Sequence, residues 1–360
     1  MPRRSAGERP QFYALAGPQA SGKTSTQENL VRVLDQNVTA SYDGDDNAGI
    51  HPRYDALARA HGLDGHSVVS KALPNYHPQY LGHLRGEFGG EKYDVIASHP
   101  FGKPEWAEAW VDGFRKQGYE TTVIFVTTHE SNSRIGIPYR YQLERDQAGH
   151  GRWLDLKHLD DAYRNVPDVA AHLERNAVPG IPLAAQKGLV DHVYVVNRNG
   201  EVLYENHRGS DGAMENPLGA REAILRERSR APTPEEVGRF ESQVAYLRDP
   251  SNRTEPLDPK VLAAVDEAER QHMTLRQEGV VQPAVQRRTI AQAILDQASA
   301  STRQSTAKSS VPTFARAASA SQSGSVPGDK QIDKDVVAGQ AQGYVHRAGS
   351  SSGSSGSHRP

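Results

Sequence analysis

Residues 17–24 read Gly17-Pro18-Gln19-Ala20-Ser21-Gly22-Lys23-Thr24, a complete G-x-x-x-x-G-K-T run. This feature constrains the fold more than any other, because such a loop works only between a buried strand and a helix. Both flanks suit it. Phe12 to Ala16 is a short apolar run fit for a buried parallel strand, and Ser25 to Leu34 continues as a helix. In that setting the glycines let successive backbone N–H groups converge on phosphate oxygens, and the helix N-terminus adds partial positive charge. Lys23 would neutralise the β- and γ-phosphates, and the Thr24 hydroxyl would ligate Mg²⁺. Gly17 to Ser25 is therefore the expected ATP-binding segment, with Mg²⁺ entering alongside ATP.

A phosphate loop names the ligand more than the reaction, since kinases, switches and ATPases share it. The next segment, Val38 to Tyr42, reads as a second strand and is followed by Asp43-Gly44-Asp45-Asp46, then His51-Pro52-Arg53-Tyr54. Asp43 and Asp45 then fall at the C-terminal edge of the sheet, where open α/β sheets bind ligands. A carboxylate there can take a proton from an attacking substrate hydroxyl. Taken alone, Asp-Gly-Asp-Asp is equally a polar turn.

The ordered set G-x-x-x-x-G-K-T, D-G-D and H-P-x-Y resembles the zeta-toxin family of kinases. Further along, Lys116 to Glu120 followed by Val123 to Val126 is similar to that family's helix-to-strand junction. Arg140-Tyr141 and Gly151-Arg152 are similar to its paired arginines, and Asp191 to Arg198 with Leu203-Tyr204 to its late strand. The resemblance covers roughly residues 10–230. It implies a P-loop kinase in which Asp45 is the general base, Lys23 the phosphate clamp, Thr24 the Mg²⁺ ligand, and Arg140 and Arg152 the stabilisers of the transferring phosphoryl group. Arg134 and Arg145 lie close by and compete for that last role. The acceptor implied is the 3′-hydroxyl of UDP-N-acetylglucosamine, a nucleotide-sugar, and the partner implied is an antitoxin protein. Asp43, His51, Tyr54, Ser98 and His99 are the expected acceptor contacts, with Tyr76 and His77 as further candidates.

One departure bears on the acceptor. Where the family carries an acid at the end of a central strand, this chain reads Tyr93-Asp94-Val95-Ile96-Ala97-Ser98-His99. A site built to hydrogen-bond one sugar rejects analogues that leave its polar groups unpaired, so the change points toward an alternative, a kinase of another nucleotide, such as a dinucleotide cofactor, delivered as an effector. Two readings of other classes stay open: a P-loop ATPase attacking with water, and a non-catalytic nucleotide-binding module.

The fold class expected is α/β, a parallel sheet wrapped by helices, with strands over 12–16, 38–42, 93–97, 121–127 and 190–196. His51 to Tyr80 is expected as a helical excursion over the acceptor site. Trp106, Ala109, Trp110, Gly113 and Phe114 are spaced as the core face of a helix. The organisation expected is a flexible 1–10, a kinase domain over 11–230, a helical extension over 231–297 and a low-complexity disordered tail over 298–360. Within the extension, Thr233-Pro234-Glu235-Glu236 is a helix start, and further helices are expected over 259–277 and 284–297.

Composition excludes several classes. There are no cysteines, so neither a disulfide framework nor thiolate catalysis arises. The 15 histidines include no H-E-x-x-H pair. With 42 basic and 44 acidic residues the net charge is −2, which leaves no broad footprint for nucleic acid. No apolar run approaches ~20 residues, as a membrane span requires. The N-terminus lacks the apolar region of a signal peptide, so a cytoplasmic location is expected.

Overall fold

The structure, a computed structural model, describes residues 8–43, 52–72, 77–175, 189–210, 212–216, 218–253, 255–283 and 285–309. Six strands form one sheet: β1 (Gln11–Ala16), β2 (Thr39–Asp43), β3 (Asp94–Ser98), β4 (Glu120–Val126), β5 (His192–Val196) and β6 (Val202–His207). Their order is β2-β3-β1-β4-β5-β6. The first five are parallel and β6 is antiparallel to β5. The expected α/β class and all five expected strands are present, and β6 adds an edge strand.

The strand sequences are nearly continuous in apolar residues because both faces of the sheet are covered. Alternate residues of β1 supply the two cores. Phe12, Ala14 and Ala16 join one cluster with Val95, Ala97, Val123 and Phe125. Tyr13 and Leu15 join the other with Ile96, Ile124 and Tyr194. Helix α1 (Lys23–Val33) covers the second face through Leu30. Its Gln27 donates to Ser41 Oγ at 2.8 Å, tying the helix to β2.

The helical excursion after β2 comprises α2 (Tyr54–His61), α3 (Gly65–Ala72) and α4 (His77–Leu84). Helix α5 (Pro104–Lys116) then packs on the first face, with Phe114 buried and Trp110 against the core as expected, while Trp106 and Ala109 of the expected stripe face outward. Ala107, Val111 and Phe114 are its buried positions, whereas Trp106 is 47% exposed. The expected stripe followed the two tryptophans. In the structure Trp106 lies flat against Lys103, whose Nζ is 4.9 Å from the ring centroid, an arrangement an amphipathic ring accepts at a wet surface.

Helices α6 (Glu130–Ala148), α7 (Leu156–Arg175) and α8 (Ala220–Ser229) complete the region of the sheet, and α9 (Pro234–Arg248), α10 (Pro259–Glu278) and α11 (Ile290–Ser309) follow. The start of α9 is built as its sequence predicts. Thr233 caps it, accepting from the Glu236 N–H at 3.3 Å while the Glu236 carboxylate accepts from the Thr233 N–H at 2.9 Å. Helices α9 and α10 pack on α6: Phe240, Leu247, Val261 and Val265 share a core with Ile135, Ile137 and Tyr141. Helix α11 packs on the sheet through Ile290, Ala293 and Ile294. It begins six residues later than expected because the preceding segment pairs with the sheet edge, the Val202 N–H donating to the Arg288 carbonyl at 3.0 Å. It also runs past 297 to Ser309, so the disordered tail expected from 298 begins as helix. Among the described residues no helix is long and apolar enough to cross a membrane.

Candidate active site

Strand β1 leads off toward β2 and its neighbour β4 toward β5, so a crevice opens at the C-terminal end of β1. The phosphate loop fills its floor. Gly17 sits at φ +141°, and a Cβ there would meet the Val126 carbonyl oxygen at 2.4 Å, so only glycine lets the loop leave the sheet this closely. Gly22, at φ +107°, starts α1. Between them Ala20 adopts φ +56°, a left-handed conformation that an L-residue pays for with roughly 1–2 kcal/mol. Arg198, just beyond β5, braces it: Nη1 donates to the Ala20 carbonyl at 2.8 Å. Burial, with Arg239 nearby, pulls the Arg198 guanidinium below its ordinary pKa, and Glu236 opposes that shift.

Above the loop lies a cavity of about 450 Å³. Its wall includes Gln19, Ala20, Gly22, Lys23, Thr24 and Ser25 from the loop and α1, together with Asp43, Ser98, His99, Arg140 and Arg152. Most of the site expected from sequence thus converges on one space. Lys23 Nζ curls over the loop, donating to the carbonyls of Gly17 at 2.9 Å and Pro18 at 2.8 Å. Gly17, Pro18 and Ser21 belong to the loop but not to the cavity wall. Asp43 is in register with Ser98 across the β2–β3 pair, so both stand on the same edge. His99 continues the ladder, its N–H donating to the Leu15 carbonyl at 3.0 Å. Its Nδ1 accepts the Phe101 N–H at 3.0 Å, so a neutral ring carries its proton on Nε2.

The four arginines differ in where they stand. Arg134 is buried between Glu130 and Asp160, and Arg145 pairs with Glu255 at 2.5 Å. Neither lines the cavity, whereas Arg140 and Arg152 do. Tyr54 is not brought to the cavity either. Its hydroxyl lies 3.1 Å from His66 Nδ1 and its ring stands edge-on to His150, so it ties the helical excursion together. Asp45, His51 and Tyr76 lie outside the described residues, as does the side chain of His77.

Sequence reasoning missed Arg198, Tyr139 and Gln243 on the cavity wall. Arg198 carried a signal, since it follows an apolar strand and must emerge at the ligand edge. With it, four cations line the cavity beside a single described carboxylate, Asp43. That balance suits a polyanion. The Gln19 side-chain oxygen is buried with no partner among the described residues, a polar atom a ligand would satisfy. The Thr24 hydroxyl and the Asp43 carboxylate are hard oxygen donors of the kind Mg²⁺ takes beside phosphate oxygens, so the residues present fit that ion.

A phosphate loop at this sheet position, under a cationic cavity with a carboxylate at its far edge, defines a P-loop phosphotransferase that uses ATP. The chain belongs to the zeta toxin family, whose sequence model matches residues 2–208. No curated protein sequence matches it. Among solved structures it is similar to a chain of the PezAT chromosomal toxin-antitoxin system of Streptococcus pneumoniae, at 16% identity and a TM-score of 0.49 over 67% of this chain and 87% of that one. It is also similar to a chain of the AvrRxo1-ORF1:-ORF2 complex, at 14% identity and a TM-score of 0.39 over 76% and 77%. A gluconokinase from Sinorhizobium meliloti is similar at 14% identity and a TM-score of 0.25 over 67% and 100%. At TM-scores below 0.5 none of these likenesses decides the fold, which rests on the sheet order and the family match.

Proposed function

We propose that the chain transfers the γ-phosphoryl group of ATP to a hydroxyl of a nucleotide-sugar, the 3′-hydroxyl of UDP-N-acetylglucosamine by family resemblance, and so acts as the toxin of a toxin–antitoxin pair. One observation supports this most: a single cavity holds Lys23 and Thr24 together with Asp43, Arg140 and Arg152. Phosphoryl transfer asks mainly for positioning and for cations around the γ-phosphate. In this reading Lys23 clamps the β- and γ-phosphates, while Arg140 and Arg152, permanently charged, neutralise the equatorial oxygens. Thr24 would hold Mg²⁺ with the phosphate oxygens, and when bound the ion adds further neutralisation there. Asp45, two residues beyond β2, takes the proton of the attacking hydroxyl. The new O–P bond forms as the bond to the β–γ bridging oxygen breaks and ADP leaves. Asp43, His51, Ser98 and His99 position the acceptor.

A second acceptor class is favoured by a specific observation. Ser98 and His99, not an acid, stand on the wall at the end of β3. Neither side chain brings the negative charge that an acid would, which suits the phosphate oxygens of another nucleotide, such as a dinucleotide cofactor. Transfer of label from γ-labelled ATP to a panel of UDP-sugars and dinucleotides separates the two. Label on UDP-N-acetylglucosamine supports the first, and label on a dinucleotide alone refutes it. If the protein is a toxin, its production without an antitoxin arrests growth, and Lys23→Ala abolishes the arrest; equal arrest by both removes catalysis as the cause.

A further inference from the structure

Helix α9 carries one position that its packing does not explain. Residues 236, 240, 243 and 247 form a single stripe at helical spacing. Glu236, Phe240 and Leu247 are buried. Phe240 stacks on His272 with ring centroids 3.9 Å apart, and Glu236 is occupied by the Thr233 cap and by Arg230. Gln243, in the middle of this stripe between Phe240 and Leu247, is polar and half-buried. Its amide is hydrogen-bonded to no side chain among the described residues, and it lines the active-site cavity. The helix holds it firmly: Tyr246, one turn on, packs edge-to-face on Tyr139 of α6, which lines the same cavity.

The sheet order decides which end of the cavity Gln243 occupies. Asp43 and Ser98 stand on β2 and β3, to one side of the phosphate loop. Arg198 follows β5, to the other side, where Arg239 of α9 adds to its field. If the γ-phosphate points toward the acceptor edge at β2 and β3, the nucleoside end of the donor projects toward β5 and α9. We propose that Gln243 reads the nucleobase of the phosphate donor, so that α9, outside the residues matched to the family, is a working part of the active site. The inference rests on the phosphotransferase reading and names the base it takes. A carboxamide has one acceptor and adjacent donors. On the N7 edge, to which Gln243 is assigned, adenine presents a donor at N6 beside the N7 acceptor, which a single amide satisfies in one pose; the N7 edge of guanine presents two acceptors, O6 and N7, which it does not satisfy. The site therefore prefers an adenine nucleotide.

The test is calorimetric titration of the full chain with Mg²⁺ and the non-hydrolysable imido analogues of ATP and GTP. Gln243→Leu keeps the side-chain volume and removes both hydrogen bonds, and Gln243→Ala keeps the helix. For each, affinity for the adenine analogue is expected to fall about tenfold while that for the guanine analogue stays within about twofold, with the melting temperature unchanged. An adenine-to-guanine ratio equal to that of the wild type, or an equal loss for both analogues, overturns the inference. Lys23→Ala separates this outcome from failure of the parent reading. Wild type that binds neither analogue, or binds both as well without Lys23, refutes the phosphate-donor site itself; binding that needs Lys23 and ignores Gln243 refutes only the base contact.

Discussion

Replacing Arg198 with alanine should loosen the phosphate loop without touching its sequence. Ala20 holds φ +56°, which costs roughly 1–2 kcal/mol for a residue with a Cβ. The guanidinium donates to its carbonyl at 2.8 Å, and a charge-assisted bond of that kind contributes about 1.5–3 kcal/mol. The two terms are of similar size. With the bond gone, nothing of comparable strength holds Ala20 in place and the loop relaxes to a shape that must be re-formed on binding. Affinity for the Mg²⁺ complex of an ATP analogue should fall about 10- to 100-fold, each tenfold being ~1.4 kcal/mol. A brace and a direct ligand contact make different predictions for a second change. Ala20→Gly removes the steric cost of the left-handed conformation, so in the Arg198→Ala background it should recover about tenfold of the loss. Calorimetry on the four members of this cycle reads it directly. Arg198→Ala binding within about twofold of wild type, or a double variant no tighter than Arg198→Ala alone, would refute the reasoning.

Acid should destabilise the protein through His129. It is 1% exposed, and burial holds its pKa at about 4, with Arg230 and His272 acting in the same direction and Glu236 against it. Between pH 4 and 6.5 the unfolded chain binds the extra proton, so stability falls as pH falls, by about 2 kcal/mol from pH 8 to pH 5. Urea unfolding at the two pH values checks this; His129→Gln should flatten the profile, and an unchanged slope contradicts it. The Glu174 carboxylate, 2% exposed, accepts from the Tyr204 hydroxyl, from Asn206 Nδ2 at 2.9 Å, and from the N–H groups of Gly219 and Ala220 at 3.1 and 3.0 Å, anchoring the start of α8. Glu174→Ala leaves these donors buried and should cost about 3 kcal/mol or more in chemical denaturation, so a loss under ~1 kcal/mol would show the anchor to be dispensable. On α5, Phe114→Ala should cost about 3–5 kcal/mol, because the ring is fully buried and stacks on Phe12 at 3.7 Å, while Trp106→Ala costs about 1 kcal/mol or less. Equal costs would mean that the helix faces the sheet as the tryptophans suggest.

What the sequence made legible follows from how local the signal is. The buried parallel strands announce themselves as short apolar runs, and the expected 12–16, 38–42 and 93–97 fall within one residue of β1, β2 and β3. The phosphate loop is contiguous, so it was read whole. β6 was read only as the motif Leu203-Tyr204, because it is a half-buried edge strand whose polar residues break the apolar run. On α5, hydrophobicity alone put Trp106 inside, although only the register of Ala107, Val111 and Phe114 fits the sheet. Tyr54 looked like a substrate contact because it follows His51-Pro52 in the motif; its partners, His66 within the excursion and His150 beyond α6, are set by tertiary folding. Arg198 reaches Ala20 across 178 residues, a contact no local pattern encodes. Gln243 left a trace in hindsight, as a polar residue between Phe240 and Leu247 in the stripe of α9.

The central claim is that this cavity transfers phosphate rather than merely holding or hydrolysing a nucleotide. The measurement that bears on it most directly follows γ-labelled ATP with Mg²⁺ and the acceptor panel, in wild type, Lys23→Ala and Asp45→Asn. The account predicts label on an acceptor in wild type, reduced at least ~10²-fold in both variants. Release of free phosphate alone, at equal rates in wild type and Asp45→Asn, would contradict it and leave an ATPase.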